Sequence, residues 1–358
     1  MVAPDGAVRV HTLPANDEKA FPENVCVDPI TGFFYTGSLI NGTIYRGSLD
    51  SDTVEVFLDP SSSGLNSAAG IRVDELGRLW VIDFRGRVLV YDTGKKVKLH
   101  TFVSEGQGVP IVNDLTLSRG FAYVTDSGRP FLYRIPVVAA DTPGETMVQP
   151  WLTVDPPIFY AHYKVPFNIN LNGIVSSPDG EVLMAIQSAT GILYRVDVGK
   201  VNAGKPEKAI TRVEVSFKGC EIPVFANEAR SKERQIRELK TYAAADPCAD
   251  LYRFVVHISL MNPLFCGDGL LLVDKYLYVA RNTANEIVTL KLSDDYRSAE
   301  LRATMNDDVL AFPTGITRCG ERLLVTNSQL NLSGKRFSEN LEKVKLPFTV
   351  VNFPLLRP

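Results

Sequence analysis

Strand-length stretches rich in apolar residues recur along this chain, split by turns rich in Gly, Asp, Asn and Pro. Six of these runs open alike, with a small or polar residue, one further residue, and then an aliphatic. They are Glu23-Asn24-Val25, Ala69-Gly70-Ile71, Asn113-Asp114-Leu115, Asn172-Gly173-Ile174, Asp268-Gly269-Leu270 and Thr314-Gly315-Ile316. Each opening strand leads to a hairpin turn, as in Asp28-Pro29-Ile30-Thr31-Gly32, Asp74-Glu75-Leu76-Gly77 and Ser177-Pro178-Asp179-Gly180. Such turns place φ-permissive residues where the chain must reverse. Second strands follow at Phe33 to Thr36, Leu79 to Ile82, Phe121 to Thr125, Val182 to Ile186, Tyr276 to Ala280 and Leu323 to Thr326. A third strand repeats an aliphatic-Tyr-Arg text at Ile44-Tyr45-Arg46, Leu132-Tyr133-Arg134 and Leu193-Tyr194-Arg195. Fourth strands are legible at Val54 to Leu58, Lys96 to Val103, Val213 to Phe217 and Leu301 to Met305.

The leading positions fall at 23, 69, 113, 172, 268 and 314, and most intervals lie in the mid-forties. Four strands at that period define a β-propeller blade. A sandwich of unrelated strands would not hold such a register. The fold expected is all-β: a single six-bladed β-propeller over 1–358, with four-stranded blades. Propellers close by completing the last blade with a strand from the other terminus, and Ala7 to Leu13 and Phe348 to Phe353 are the candidate segments. The long interval between blades four and five holds an insertion, 218–263, that includes the helix-forming stretch Ser231 to Lys240. It is either a cap over the propeller mouth or a decoration on a blade edge.

If each leading residue starts the innermost strand of its blade, Glu23, Asn113, Asn172 and Asp268 converge on one axis. Two carboxylates and two amide oxygens suit a hard cation, and calcium takes six to eight oxygen ligands in flexible geometry. Zinc or copper would call for His or Cys, and neither occupies these positions. The alternative is that each side chain only hydrogen-bonds its own strand start. Ala69 and Thr314 carry no such ligand and would leave one side of the axis open to substrate.

Composition narrows the partners. The chain has 358 residues, 45% of them hydrophobic, which is ample for a large core, and a net charge of −3 without a basic stripe. Nucleic acid and anionic membrane are therefore not expected, and no apolar run reaches the roughly 18 residues of a membrane span. The five cysteines are scattered, with no C-x-x-C pair; Cys220 and Cys248 flank the insertion and could pair, the alternative being free buried thiols. Compartment stays open between cytoplasmic and secreted, although the first residues lack an apolar signal core. Oligomeric state is not legible.

The motifs Phe21-Pro22-Glu23-Asn24, Val112-Asn113-Asp114, Leu171-Asn172-Gly173 and Gly267-Asp268-Gly269, with Tyr123-Val124-Thr125-Asp126-Ser127, carry a resemblance over roughly 20–330. The layout resembles the family of senescence marker protein-30, gluconolactonase and luciferin-regenerating enzyme. It is also similar to the related squid-type phosphotriesterases, paraoxonases and strictosidine synthase-like proteins. The resemblance implies that Glu23, Asn113, Asn172 and Asp268 hold a catalytic calcium in the central tunnel. It also implies that Asp268 serves as base or nucleophile in hydrolysis of lactones or phosphotriesters, the alternative being that it is a ligand alone.

Two departures bear on the substrate. Sugar-lactone members carry an Arg two residues before the first Asn, where this chain has Ile111. Several phosphotriesterase relatives use a His where this chain has Pro313-Thr314-Gly315. His162, in a loop leading to a ligand strand, is a candidate acid or base, the alternative being an ordinary rim residue. The loops feeding the inner strands are apolar, and Phe21, Tyr160, Tyr163, Phe167, Phe265 and Phe312 are candidate substrate contacts. An apolar mouth points to a small hydrophobic organic substrate. The expected activity is calcium-dependent hydrolysis of a lactone or ester. Alternatives are non-hydrolytic tailoring of a secondary metabolite, by condensation, cyclisation or a Diels–Alder cycloaddition, and a non-catalytic ligand carrier.

Overall fold

The computed structural model describes residues 7–154, 169–216, 262–333 and 343–355. Its strands form six sheets, and each sheet begins with one of the repeated openings. In blade one the order runs outward through Pro22–Val27, Phe34–Ser38, Ile44–Gly47 and Glu55–Leu58. The inner strands, from Pro22–Val27 to Pro313–Cys319, touch one another in cyclic order, and the last meets the first. The six-bladed propeller is therefore closed.

Why these strands pack as blades follows from their side-chain alternation. Successive residues of a strand face opposite sides of its sheet, and here both sides are covered by neighbouring blades. Second strands such as Arg78–Asp83 and Val182–Gln187 are buried along their whole length. Tyr123 faces blade four while the next residue, Val124, faces blade two. An apolar cluster fills each blade-to-blade interface, for example Met184, Ile186 and Leu193 of blade four against Leu270, Leu277 and Val279 of blade five. The tyrosines of the aliphatic-Tyr-Arg text, Tyr45, Tyr133 and Tyr194, are all buried in such interfaces.

Closure uses both terminal segments. Thr349–Pro354 is the third strand of blade six, and Arg9–Thr12 pairs antiparallel to it as the fourth, with Arg9 opposite Asn352 and Thr12 opposite Thr349. Inside the blade, His11 is fully buried and its Nδ1 lies 2.7 Å from the Ser51 carbonyl.

Two outer edges differ from the expected four strands. Val213 to Phe217 was expected as the fourth strand of blade four, but that place belongs to Ile210–Arg212. The chain then turns, and Glu214–Ser216 crosses to blade five, where it pairs parallel to Ser298–Asn306 as a fifth strand. Likewise Gly144–Val148 leaves blade three to pair parallel to Val97–Ser104 of blade two, before Pro150–Thr153 completes blade three. Both additions cover an otherwise unpaired outer edge.

The insertion 218–263 lies outside the described residues except for its last two positions, and Cys220 and Cys248 lie outside them as well. Cys26, Cys266 and Cys319 are free thiols. Among the described residues, no helix is long and apolar enough to cross a membrane.

Candidate metal centre

Every ligand candidate sits in a break of strand register. In blades one, three, four, five and six, the inner strand slips against the second strand between the residue before the leading position and the second residue after it. Pro22 faces Ser38 and Val25 faces Thr36, so three steps on one strand match two on the other. Such a bulge inserts one residue and re-aims its side chain out of the normal alternation. Here the residues inserted are Glu23, Asn113, Asn172, Asp268 and Thr314, and the Thr314 hydroxyl turns to the Glu23 carbonyl of blade one.

The second residue of each bulge packs on the next inner strand, which explains the glycines. A Cβ on Gly173 would stand 2.2 Å from the Asp268 carbonyl oxygen, and one on Gly269 would stand 2.3 Å from that of Thr314. Gly70 and Gly315 are pressed in the same way against Asp114 and Asn24. Only blades one and three keep a side chain at this position, and those two meet. Asn24 Nδ2 donates to Asp114 Oδ1 at 3.0 Å, and Arg72 bridges both through its guanidinium.

Around the axis the four donors are buried, with exposures of 4–6%. Asn113 donates through Nδ2 to Ser127 Oγ and Asn172 through Nδ2 to Ser188 Oγ, each at 3.0 Å. Asp268 Oδ2 accepts from Asn282 Nδ2 at 3.0 Å. Burial drives the Glu23 carboxyl well above the ordinary carboxylate range; the charges of Asp268 and Asp114 push it further, and Arg72 eases it. Burial raises Asp268 to about 7, against hydrogen bonds from Asn282 and Asn172 and with the field of Asp114. Two like charges in a low-dielectric site repel, and a cation between them removes that penalty.

The residues fit such a cation on a second count. Glu23 Oε2 and Asn113 Oδ1 are buried with no hydrogen-bond partner. Buried acceptors are normally satisfied, so an orphaned pair in one site calls for an explanation. No cluster of three or more His, Cys, Asp or Glu occurs among the described residues; the axial set has two carboxylates and draws its remaining oxygens from amides. That is a donor set for a hard ion.

The other expected site residues divide. Phe21 does not line a mouth: its backbone takes a left-handed turn (φ 34°), and the ring is fully buried 4.8 Å from the Phe348 ring centroid. Phe265 is also buried, and its carbonyl accepts from Arg281 Nε. Phe312 is half-buried beside blade six, with Asn285 Oδ1 accepting from its N–H. Tyr160, His162, Tyr163 and Phe167 lie outside the described residues. Sequence reasoning missed Ser127, Ser188 and Asn282, and with them the Asn24–Asp114–Arg72 cluster. These three hydrogen-bond partners share one signal, since each directly follows the second strand of its own blade.

Comparison with family models and with curated proteins gives no match. Comparison with solved structures returns propeller-like chains at low identity. A calcium-binding protein, regucalcin, from Agrobacterium tumefaciens is 16% identical with a TM-score of 0.55, the match covering 99% of this chain and 98% of that one. A gluconolactonase from Xanthomonas campestris is 14% identical with a TM-score of 0.55, covering 99% and 90%. A chain of a nidogen–laminin complex is 12% identical with a TM-score of 0.50, covering 81% of each. Likeness at these identities is one of fold, and the fold serves unrelated roles.

Proposed function

We propose that Glu23, Asn113, Asn172 and Asp268 hold a calcium ion on the propeller axis, and that the chain is a calcium-dependent hydrolase of lactones or esters with an apolar body. The observation that carries this reading is the axial set itself: four oxygen donors set in bulges of the inner strands, two of them with buried oxygens left unpartnered. When bound, the ion would polarise a substrate carbonyl and offset the charge that develops on its oxygen. Asp268, one of whose oxygens is tied to Asn282, is the group in reach to take a proton from the attacking water. Ala69 and Thr314 carry neither carboxylate nor amide oxygen, which would leave coordination places free beside Glu23 for substrate. His162 is retained as a candidate acid or base. The calcium-binding and gluconolactonase neighbours agree with this reading at the level of fold.

A panel of aryl esters and of aliphatic and aromatic lactones, assayed with calcium and with EGTA, tests the proposal. Turnover that needs calcium and disappears in Asp268→Asn supports it. Turnover that persists unchanged in EGTA refutes it.

A further inference from the structure

An asparagine amide has nearly the same shape in either orientation, but only its oxygen can ligate a cation. Something must hold Asn113 and Asn172 with oxygen inward. We propose that Ser127 and Ser188 are positioning residues that do this, an inference that rests on the calcium reading above.

A serine hydroxyl has one proton to give. Ser127 Oγ gives it to the Leu171 carbonyl at 2.6 Å, and Ser188 Oγ gives it to the Gly267 carbonyl at 2.5 Å. A carbonyl can only accept, so in both cases the proton is committed. Toward the asparagine each hydroxyl is then an acceptor alone, and it must be met by an N–H. Nδ2 of Asn113 and of Asn172 supplies it at 3.0 Å. A flipped amide would set Oδ1 against the hydroxyl's lone pairs and aim two N–H groups at the cation. Orientation is thus fixed by proton bookkeeping, with no contact between serine and ion.

Asp268 is held by the same logic. The Oδ1 of Asn282 accepts from the Thr283 N–H at 2.7 Å, which leaves Nδ2 for Asp268 Oδ2. Blade six supplies the contrast. Ser328 occupies the same place after its second strand, but its leading residue is Thr314, and its hydroxyl goes to the Phe312 carbonyl of its own blade. In blades three and four, the receiving carbonyl belongs to the next blade, one residue before that blade's own ligand. Each lock therefore forms only when neighbouring blades are docked.

Calcium affinity, measured by isothermal titration calorimetry on the full chain, tests this through a rescue. Holder residues around a metal site typically contribute 10–100-fold to metal affinity. Ser127→Ala is expected to weaken calcium binding by about that factor. In an Asn113→Asp background, whose carboxylate presents oxygen on both edges, the same Ser127→Ala is expected to change affinity less than about threefold. Ser188→Ala with Asn172→Asp repeats the cycle independently, should either variant fail to fold. Equal losses in both backgrounds would show that the serines merely support the backbone, and would overturn the inference. An unchanged affinity in both single serine variants would overturn it as well, while leaving the metal site standing. A wild-type protein that binds no calcium would remove the metal reading itself, and the lock with it.

Discussion

Replacing Asp268 with Asn should make the calcium-free protein more stable while abolishing its response to calcium. In the metal-free fold, burial holds the Asp268 carboxyl at about 7, against an ordinary value of 3.8. The folded state therefore binds this proton more tightly than the unfolded chain does. Stability is unaffected by this group below pH 4, falls as pH rises from about 4 to 7, and stays reduced above that. Roughly three pKa units correspond to about 4 kcal/mol at pH 8. The amide of the Asp268→Asn variant would be neutral and could still accept from Asn282 through its oxygen, so most of that penalty is removed without opening a cavity. With an unfolding entropy of about 2.1 cal/mol/K per residue, 4 kcal/mol across the 358-residue chain shifts Tm by about 5 °C. Calorimetry in EGTA from pH 4 to 8 should show wild type falling more steeply than Asp268→Asn, whose remaining fall comes from the raised Glu23 carboxyl, with the variant ahead at pH 8. In calcium at one hundred times the wild-type Kd, wild type should regain about 2.7 kcal/mol, and the variant little. A variant less stable than wild type in EGTA at pH 8, with the same pH slope, would refute the buried-charge account.

Further expectations follow from the same geometry. Asn113→Ala should lower calcium affinity at least tenfold by calorimetry, with metal-free stability within about 1 kcal/mol of wild type, because the lost Nδ2 bond to Ser127 is offset by removal of a buried oxygen that has no protein partner. Gly173→Ala should destabilise by about 3 kcal/mol or more in urea unfolding, since its Cβ would meet the Asp268 carbonyl at 2.2 Å. Gly120→Ala, at φ 76° with open space around it, should lose only about 1 kcal/mol, from strain alone. Deleting residues 1–13 leaves Thr349–Pro354 as a bare edge, so light scattering should show association in place of a stable monodisperse species.

The repeat was legible in the sequence because blade interfaces impose a two-residue alternation on strands of similar length. That alternation is strong enough to align Glu23, Asn113, Asn172 and Asp268 without coordinates. The glycines that follow most leading residues were visible too, but their reason was not. Only the approach of Asp268 to Gly173, and of Thr314 to Gly269, shows that a Cβ cannot fit. Phe21 misled because an aromatic residue two places before a ligand reads as lining a mouth, whereas a left-handed φ folds its ring back onto Phe348. Glu214–Ser216 misled because a strand's text does not say which of two neighbouring blades it will join. The holders Ser127, Ser188 and Asn282 stayed hidden for a different reason: a serine or asparagine after a strand is ordinary, and its role lies in where its one committed proton or amide oxygen goes.

Binding of one divalent cation by Glu23, Asn113, Asn172 and Asp268 is tested by the calcium stoichiometry of the purified chain. Titration of chelator-stripped protein should give one calcium per chain, abolished in Glu23→Gln and Asn172→Ala and retained in Thr314→Ala, whose side chain bonds the Glu23 carbonyl and offers no charged donor. No binding up to millimolar calcium, or binding that Asn172→Ala leaves unchanged, would contradict it.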